Sequence, residues 1–272
     1  MTTYLWFWTA GGIAGVAAGV LVLRRSAACG LRTLLALGLA WGGFIVGVRL
    51  QFRLAHYPLN EAFRLTPADL LAGGHHTPLG FALGAALVGL YCLAVRAPWR
   101  ETGDALAVAA TVMMAIGRFG CLVAGCCTGT VCGRWARALC VRYPRGSEPF
   151  GLQLAAGMIP WDSDRSLPVH PLPLYFVGTA LLTLMMLVWL LRRGARPGTV
   201  ALTFGILEPT TKLCLEMLRG SAPGGPSGLM LAVPLVMLAA SGVCLTARMT
   251  RRIAPGFANG AEAVTGFLPA VD

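Results

Sequence analysis

Glu208, Lys212, Glu216 and Arg219 follow one another at steps of four, four and three, inside a stretch otherwise apolar enough to cross a bilayer. On a helix that spacing sets all four on one face. Charges inside a bilayer are costly and face a protein interior or a wet cavity. The chain is therefore expected to enclose a charged cavity within a membrane. The other residues able to do chemistry are read by whether they face it.

Gly73-Gly74-His75-His76-Thr77-Pro78-Leu79-Gly80 sets two imidazoles in a helix start broken by Gly and Pro. Imidazole titrates near neutral pH, so either ring suits a general base or a hydrogen-bond donor to phosphate. An interfacial turn with solvated rings accounts for the same residues. Gly117-Arg118-Phe119-Gly120-Cys121 runs on to Gly125-Cys126-Cys127-Thr128-Gly129 and places an Arg among four glycines. Glycines let backbone approach a ligand or another helix closely, and Arg offers a fixed fork for phosphate. Packing with Arg118 neutralised by Glu216 or Glu208 is the plainer reading. Cys121, Cys126, Cys127, Cys132 and Cys140 lack the two-residue spacing of a simple zinc site, and the vicinal pair disfavours a tetrahedral one. A disulfide, a reactive thiol and a metal ligand all stay open for them. His170-Pro171-Leu172-Pro173-Leu174-Tyr175 reads as a helix start, with Tyr175 either a site residue or an interfacial aromatic.

The elements that must position these residues are membrane spans. The chain is 56% hydrophobic and 12% charged, which is the balance of a polytopic all-α membrane protein. Seven spans of about 20 residues are expected. They lie near 4–23, 33–50, 70–95, 104–124, 172–191, 199–218 and 228–247. The net charge of +11 is no nucleic-acid signal. Lys212 is the sole lysine, and much of the arginine lies in short loops: Arg24, Arg25 and Arg32, then Arg96 and Arg100, then Arg192, Arg193 and Arg196, and finally Arg248, Arg251 and Arg252. The positive-inside rule makes those loops cytoplasmic, with the N-terminus outside and the C-terminus inside. The first apolar run lacks a basic leader and is long enough to span, so no cleavable signal peptide is expected. Residues 1–254 then form one seven-helix domain with an extracytoplasmic loop region at 125–171, and residues 255–272 a disordered cytoplasmic tail. In this frame the histidines, Arg118, Lys212, Glu216 and Arg219 converge on the outer leaflet.

These motifs, in this order on seven spans, resemble the bacterial prolipoprotein diacylglyceryl transferase family over roughly residues 1–250. The family's His-Gly-Gly-Leu stretch corresponds to His76-Thr77-Pro78-Leu79. Its signature Gly-Arg-x-Gly-Asn corresponds to Gly117 through Cys121. The following Asn-Gly-Glu-x-x-Gly corresponds to Ala124 through Gly129. Its His-Pro-x-x-Leu-Tyr-Glu matches His170 through Tyr175, with Phe176 where the Glu stands. Its late Arg-x-x-x-Glu-x-x-Arg appears as Lys212, Glu216 and Arg219. Cys121 and Ala124 thus replace signature Asn residues, Cys126 a signature Glu, and Lys212 an Arg.

The resemblance implies transfer of diacylglycerol from phosphatidylglycerol to the cysteine thiol of a prolipoprotein signal segment, in the bacterial inner membrane. A thioether forms and glycerol phosphate leaves. That chemistry needs cations at the phosphate and a base for the thiol. The resemblance assigns Arg118 and Arg219 to the phosphate and His76 to the base. It assigns His75, Cys121, His170, Tyr175, Lys212 and Glu216 to substrate binding. No metal or other cofactor is required. A paralogue with another acceptor, a lipid or anion carrier, and a thiol-redox membrane protein are the other readings. The first keeps the phosphate clamp, the second needs only the charged cavity, and the third rests on the cysteines.

Overall fold

The computed structural model describes residues 2–26, 28–66, 77–133, 138–219 and 231–248. Helices dominate: α1 Thr2–Arg25, α2 Leu31–His56, α3 Leu59–Ala62, α4 Thr77–Val95, α5 Trp99–Ala124, α6 Glu148–Ala155, α7 Leu172–Arg192, α8 Thr199–Glu216 and α9 Leu231–Arg248. Among the described residues there is no strand, only isolated bridges such as Val131 to Val169 and Val141 to Val169. Six helices, α1, α2, α4, α5, α7 and α9, are long and apolar enough to cross a membrane. The seventh long helix, α8, fills the place of the expected sixth span and carries Glu208, Lys212 and Glu216. The chain is an all-α polytopic membrane protein.

Helix α5 is the hub, packed against α1, α7 and α8. On its α1 side, Gly11, Gly15 and Gly19 recur every fourth residue. A Cβ at Gly15 would lie 2.5 Å from the Ala109 carbonyl, and one at Gly11 2.8 Å from that of Met113. Lipid tails give no hydrophobic drive for helices to associate, so close backbone approach through small residues supplies the contact. Helices α2 and α4 meet the same way, Gly47 against Gly80.

Two buried polar side chains join helix ends across the bundle. Asp104 on α5 accepts hydrogen bonds from the backbone N–H of Gly198 at 2.6 Å and of Ala201 at 2.7 Å. It therefore caps the start of α8, where free N–H groups and the helix dipole favour a carboxylate. Gln51 on α2 accepts from the N–H of Leu79 at 2.7 Å and does the same for α4. Residues 51–56, expected within a loop, are the last turn and a half of α2. Arg53 holds them there, donating to the carbonyls of Ala62 and Glu61 and folding α3 back onto α2.

Candidate functional site

The charged face of α8 forms as its spacing demands. Lys212 Nζ donates to Glu216 Oε1, and Arg219 Nε lies 3.1 Å from Glu216 Oε2. Lys212 and Glu216 are both buried. A buried charge is tolerable only when compensated, and here one carboxylate bridges two cations. Opposite them, α5 delivers Arg118, also buried. Between the two helices α7 inserts Phe176. The Arg118 guanidinium carbon is 4.3 Å from the centre of that ring, and Lys212 Nζ is 5.2 Å from it. An aromatic face attracts cations without neutralising them. Glu208 is half-buried one turn below, with Lys212 and Arg118 as its charged neighbours. Arg118, Lys212 and Arg219 outnumber Glu208 and Glu216 even with both carboxylates ionised. The arrangement favours an anion in a low-dielectric setting.

A cluster of thiols adjoins these cations. Cys121 near the end of α5, and Cys126 and Cys127 just beyond it, bring their sulfurs within 4.8 Å of one another. Gly125 caps α5 in the left-handed region at φ 64°, a common helix ending. The Cys126 thiol lies 3.7 Å from the Cys121 carbonyl. The Cys127 N–H donates to Glu148 Oε2 at 3.4 Å. Hydrogen bonds from the other two thiols, helped by Arg219 and Arg118, hold the Cys127 thiol well below its ordinary range despite burial. The Cys126 thiol is driven up by the same hydrogen bonds and by burial. Burial, then the nearby Cys127, raises the Glu148 carboxyl.

The segment between α5 and α7 closes over this region. Cys132 and Cys140 form a disulfide, which resolves the disulfide question for two of the five cysteines. His170 Nδ1 is 3.2 Å from Tyr175 Oη, and its ring lies against that disulfide. Gly129 ties this layer to α8. Its N–H donates to the His170 carbonyl at 2.8 Å, and the next N–H, of Thr130, donates to the Leu218 carbonyl at 2.9 Å. A Cβ at Gly129 would lie 2.8 Å from the Leu218 oxygen and 2.9 Å from the His170 Cβ, so only glycine fits between them.

Below the charged layer lies an apolar cavity of about 370 Å³. Trp41, Phe44, Phe81 and Phe204 line it, with Gly12, Gly15, Gly80 and Gly84 on the helix faces. Phe204 also lines a second, small cavity with Glu208 and Phe176, so the apolar and charged regions share a wall.

Of the residues expected in the site, Arg118, Lys212, Glu216 and Arg219 come together. Cys121 sits in the thiol cluster, with Arg118 as a charged neighbour. His170 and Tyr175 pair in the layer above. His75 and His76 lie outside the described residues. Sequence reasoning missed Glu148 and the place of Phe176 between two cations.

The family model for prolipoprotein diacylglyceryl transferase matches residues 5–247. The chain belongs to the prolipoprotein diacylglyceryl transferase family. No individual curated protein matches it. As a member of the prolipoprotein diacylglyceryl transferase family it is a membrane transferase of lipoprotein biosynthesis, a class whose substrates are a lipid and a prolipoprotein. The cation cluster and the apolar cavity are the features of this chain against which that activity is read.

Proposed function

We propose that this member moves diacylglycerol from phosphatidylglycerol to the cysteine thiol of a prolipoprotein signal segment. The observation that carries the reading is the surplus of buried positive charge around Phe176, set beside an apolar cavity. A phospholipid has this two-part chemistry, an anionic phosphodiester joined to acyl chains. Arg118 and Arg219 hold the phosphate, with Lys212 as a third cation and Glu216 fixing Lys212 and Arg219 in place. The acceptor sulfur attacks the glycerol carbon that bears the phosphate. The carbon–oxygen bond breaks, its electron pair leaves on glycerol phosphate, and the thioether remains. Cations at the phosphate stabilise the charge that develops on the leaving group. His76 takes the thiol proton, and His170, oriented by Tyr175, is the second candidate for that role.

The loop region at 125–171 faces the oxidising side of the bacterial inner membrane, and the Cys132–Cys140 disulfide supports that orientation. The test uses the purified full chain with headgroup-labelled phosphatidylglycerol and a peptide carrying a lipoprotein signal cysteine. Release of labelled glycerol phosphate, matched by a diacylglyceryl thioether on the peptide, is expected. Arg118→Ala abolishes both products and Arg118→Lys restores only part, because the fork is lost. Turnover in Arg118→Ala equal to that of the unaltered chain removes Arg118 from the site. Lipid binding with no glycerol phosphate released, whatever the acceptor, replaces catalysis with carriage.

A further inference from the structure

None of the three free thiols at the end of α5 serves as nucleophile, base or phosphate ligand in the transfer just described, although the resemblance counts Cys121 among the substrate-binding residues. Two successive residues of a regular helix point about 100° apart, so Cys126 and Cys127 would diverge if α5 continued. It stops at Ala124, and the backbone then turns through left-handed positions at Gly125 and at Cys127, φ 58°. That conformation costs a non-glycine residue roughly 1–3 kcal/mol and persists where the surroundings enforce it. Its result is convergence: Cys121, Cys126 and Cys127 sulfurs within 4.8 Å of one another. Cys121 is buried at the base, while Cys126 and Cys127 are half-buried and leave one side open. Tyr143 packs on the same turn, 3.1 Å from where a Cβ of Gly125 would lie. Its buried hydroxyl has no hydrogen-bond partner among the described residues.

From this geometry we infer that Cys121, Cys126 and Cys127 form a three-thiolate site for a soft closed-shell cation, Cu(I). Thiolates are soft donors, which select Cu(I) and zinc among the available metals. A structural zinc site closes with four ligands. Among the described residues no fourth cysteine, histidine or carboxylate joins this set at the same radius, so a cation content with three donors fits best. On binding, three sulfur–metal bonds form and the protons that the thiols still carry pass to solvent. No oxidation or reduction occurs. Three thiolates and one monovalent cation leave two negative charges, and Arg118 and Arg219 are charged neighbours of Cys127. Cys132 and Cys140 are already paired as a disulfide, and the bound cation would protect the other three thiols from the same fate.

The test is an anaerobic Cu(I) titration of the full chain in detergent, against a coloured Cu(I) chelator and in the presence of a phosphine reductant. Cys132→Ser/Cys140→Ser serves as the background, so that reduction of the disulfide creates no second set of thiols. One Cu(I) per chain is expected, with three sulfur neighbours by X-ray absorption. Cys121→Ser, Cys126→Ser and Cys127→Ser each weaken binding at least about tenfold, since loss of even an outer-shell partner has that effect. Uptake well below one Cu(I) per chain overturns the site, as does uptake unchanged by the three substitutions. Zn(II) displacing Cu(I) overturns the choice of cation. Cys121 is buried and its variant is the one at risk of misfolding. Cys126 is half-buried, so Cys126→Ser keeps the test decisive: a folded variant with undiminished uptake refutes the proposal.

Discussion

The guanidinium of Arg118 lies 4.3 Å from the centre of the Phe176 ring, and Lys212 approaches the same ring from another helix. An aromatic ring draws both cations towards it without adding a counter-charge of its own. A cation over an aromatic face is worth about 0.5–1 kcal/mol when exposed and about 2 when desolvated. Phe176→Leu is expected to weaken phosphatidylglycerol binding by an amount in that range, with little change in folding. Phe176→Tyr keeps an aromatic face and is expected to retain most of the binding. Lipid-binding isotherms of the two variants check the order. Weaker binding in Phe176→Tyr than in Phe176→Leu would remove the cation–ring account.

Asp104 is a structural counterpart to this pair. It accepts two short hydrogen bonds at the start of α8, the helix that carries Lys212, Glu216 and Arg219. Removing it leaves two buried N–H groups without a partner, at about 1–3 kcal/mol each. Asp104→Ala is therefore expected to lower the thermal transition in detergent and to reduce turnover by displacing α8. Asp104→Asn keeps one acceptor oxygen and should fall between. Arg118→Ala, by contrast, should lose turnover without a comparable loss of stability. Thermal scans of the three variants separate the two roles.

The charged face of α8 was legible because helical spacing alone sets Lys212 against Glu216 and Glu216 against Arg219. The long helices were legible from length and hydropathy for the same local reason. Phe176 was not, because a ring in an apolar helix looks the same in sequence whether it packs on leucine or on a guanidinium. The Asp104 cap joins residues more than 90 positions apart, and no local pattern announces such a partner. The thiol cluster depends on a left-handed Cys127, a conformation that sequence seldom predicts outside glycine. Vicinal cysteines therefore read as a poor ligand pair, although the turn brings them together.

Arginine placement predicts an orientation in the membrane that is open to direct measurement. Reporter fusions within 125–171 and within 192–198 are expected to give opposite answers, the first extracytoplasmic and the second cytoplasmic. The Cys132–Cys140 pair adds a second readout. An impermeant thiol reagent should label those two cysteines in intact cells only after reduction. Matching reporter signals from both loops would overturn the orientation.

Histidine substitution tests the base. The chain has four histidines. His56 is exposed at the end of α2, with Nδ1 engaged by the Phe52 carbonyl at 2.8 Å. His170 is tied to Tyr175 at 3.2 Å. His75 and His76 immediately precede α4 in the sequence, and the family resemblance implies the base role for His76. A positioned general base contributes about 10²–10⁴ in rate, enough to decide growth. In a strain depleted of its own transferase, the unaltered chain is expected to restore growth and a diacylglyceryl-modified lipoprotein, and His76→Ala to eliminate both. Restored growth with His75 and His76 both replaced would move the base to His170 or to solvent. A further His170→Ala substitution then separates those two, because loss of activity names His170 and persistence names water.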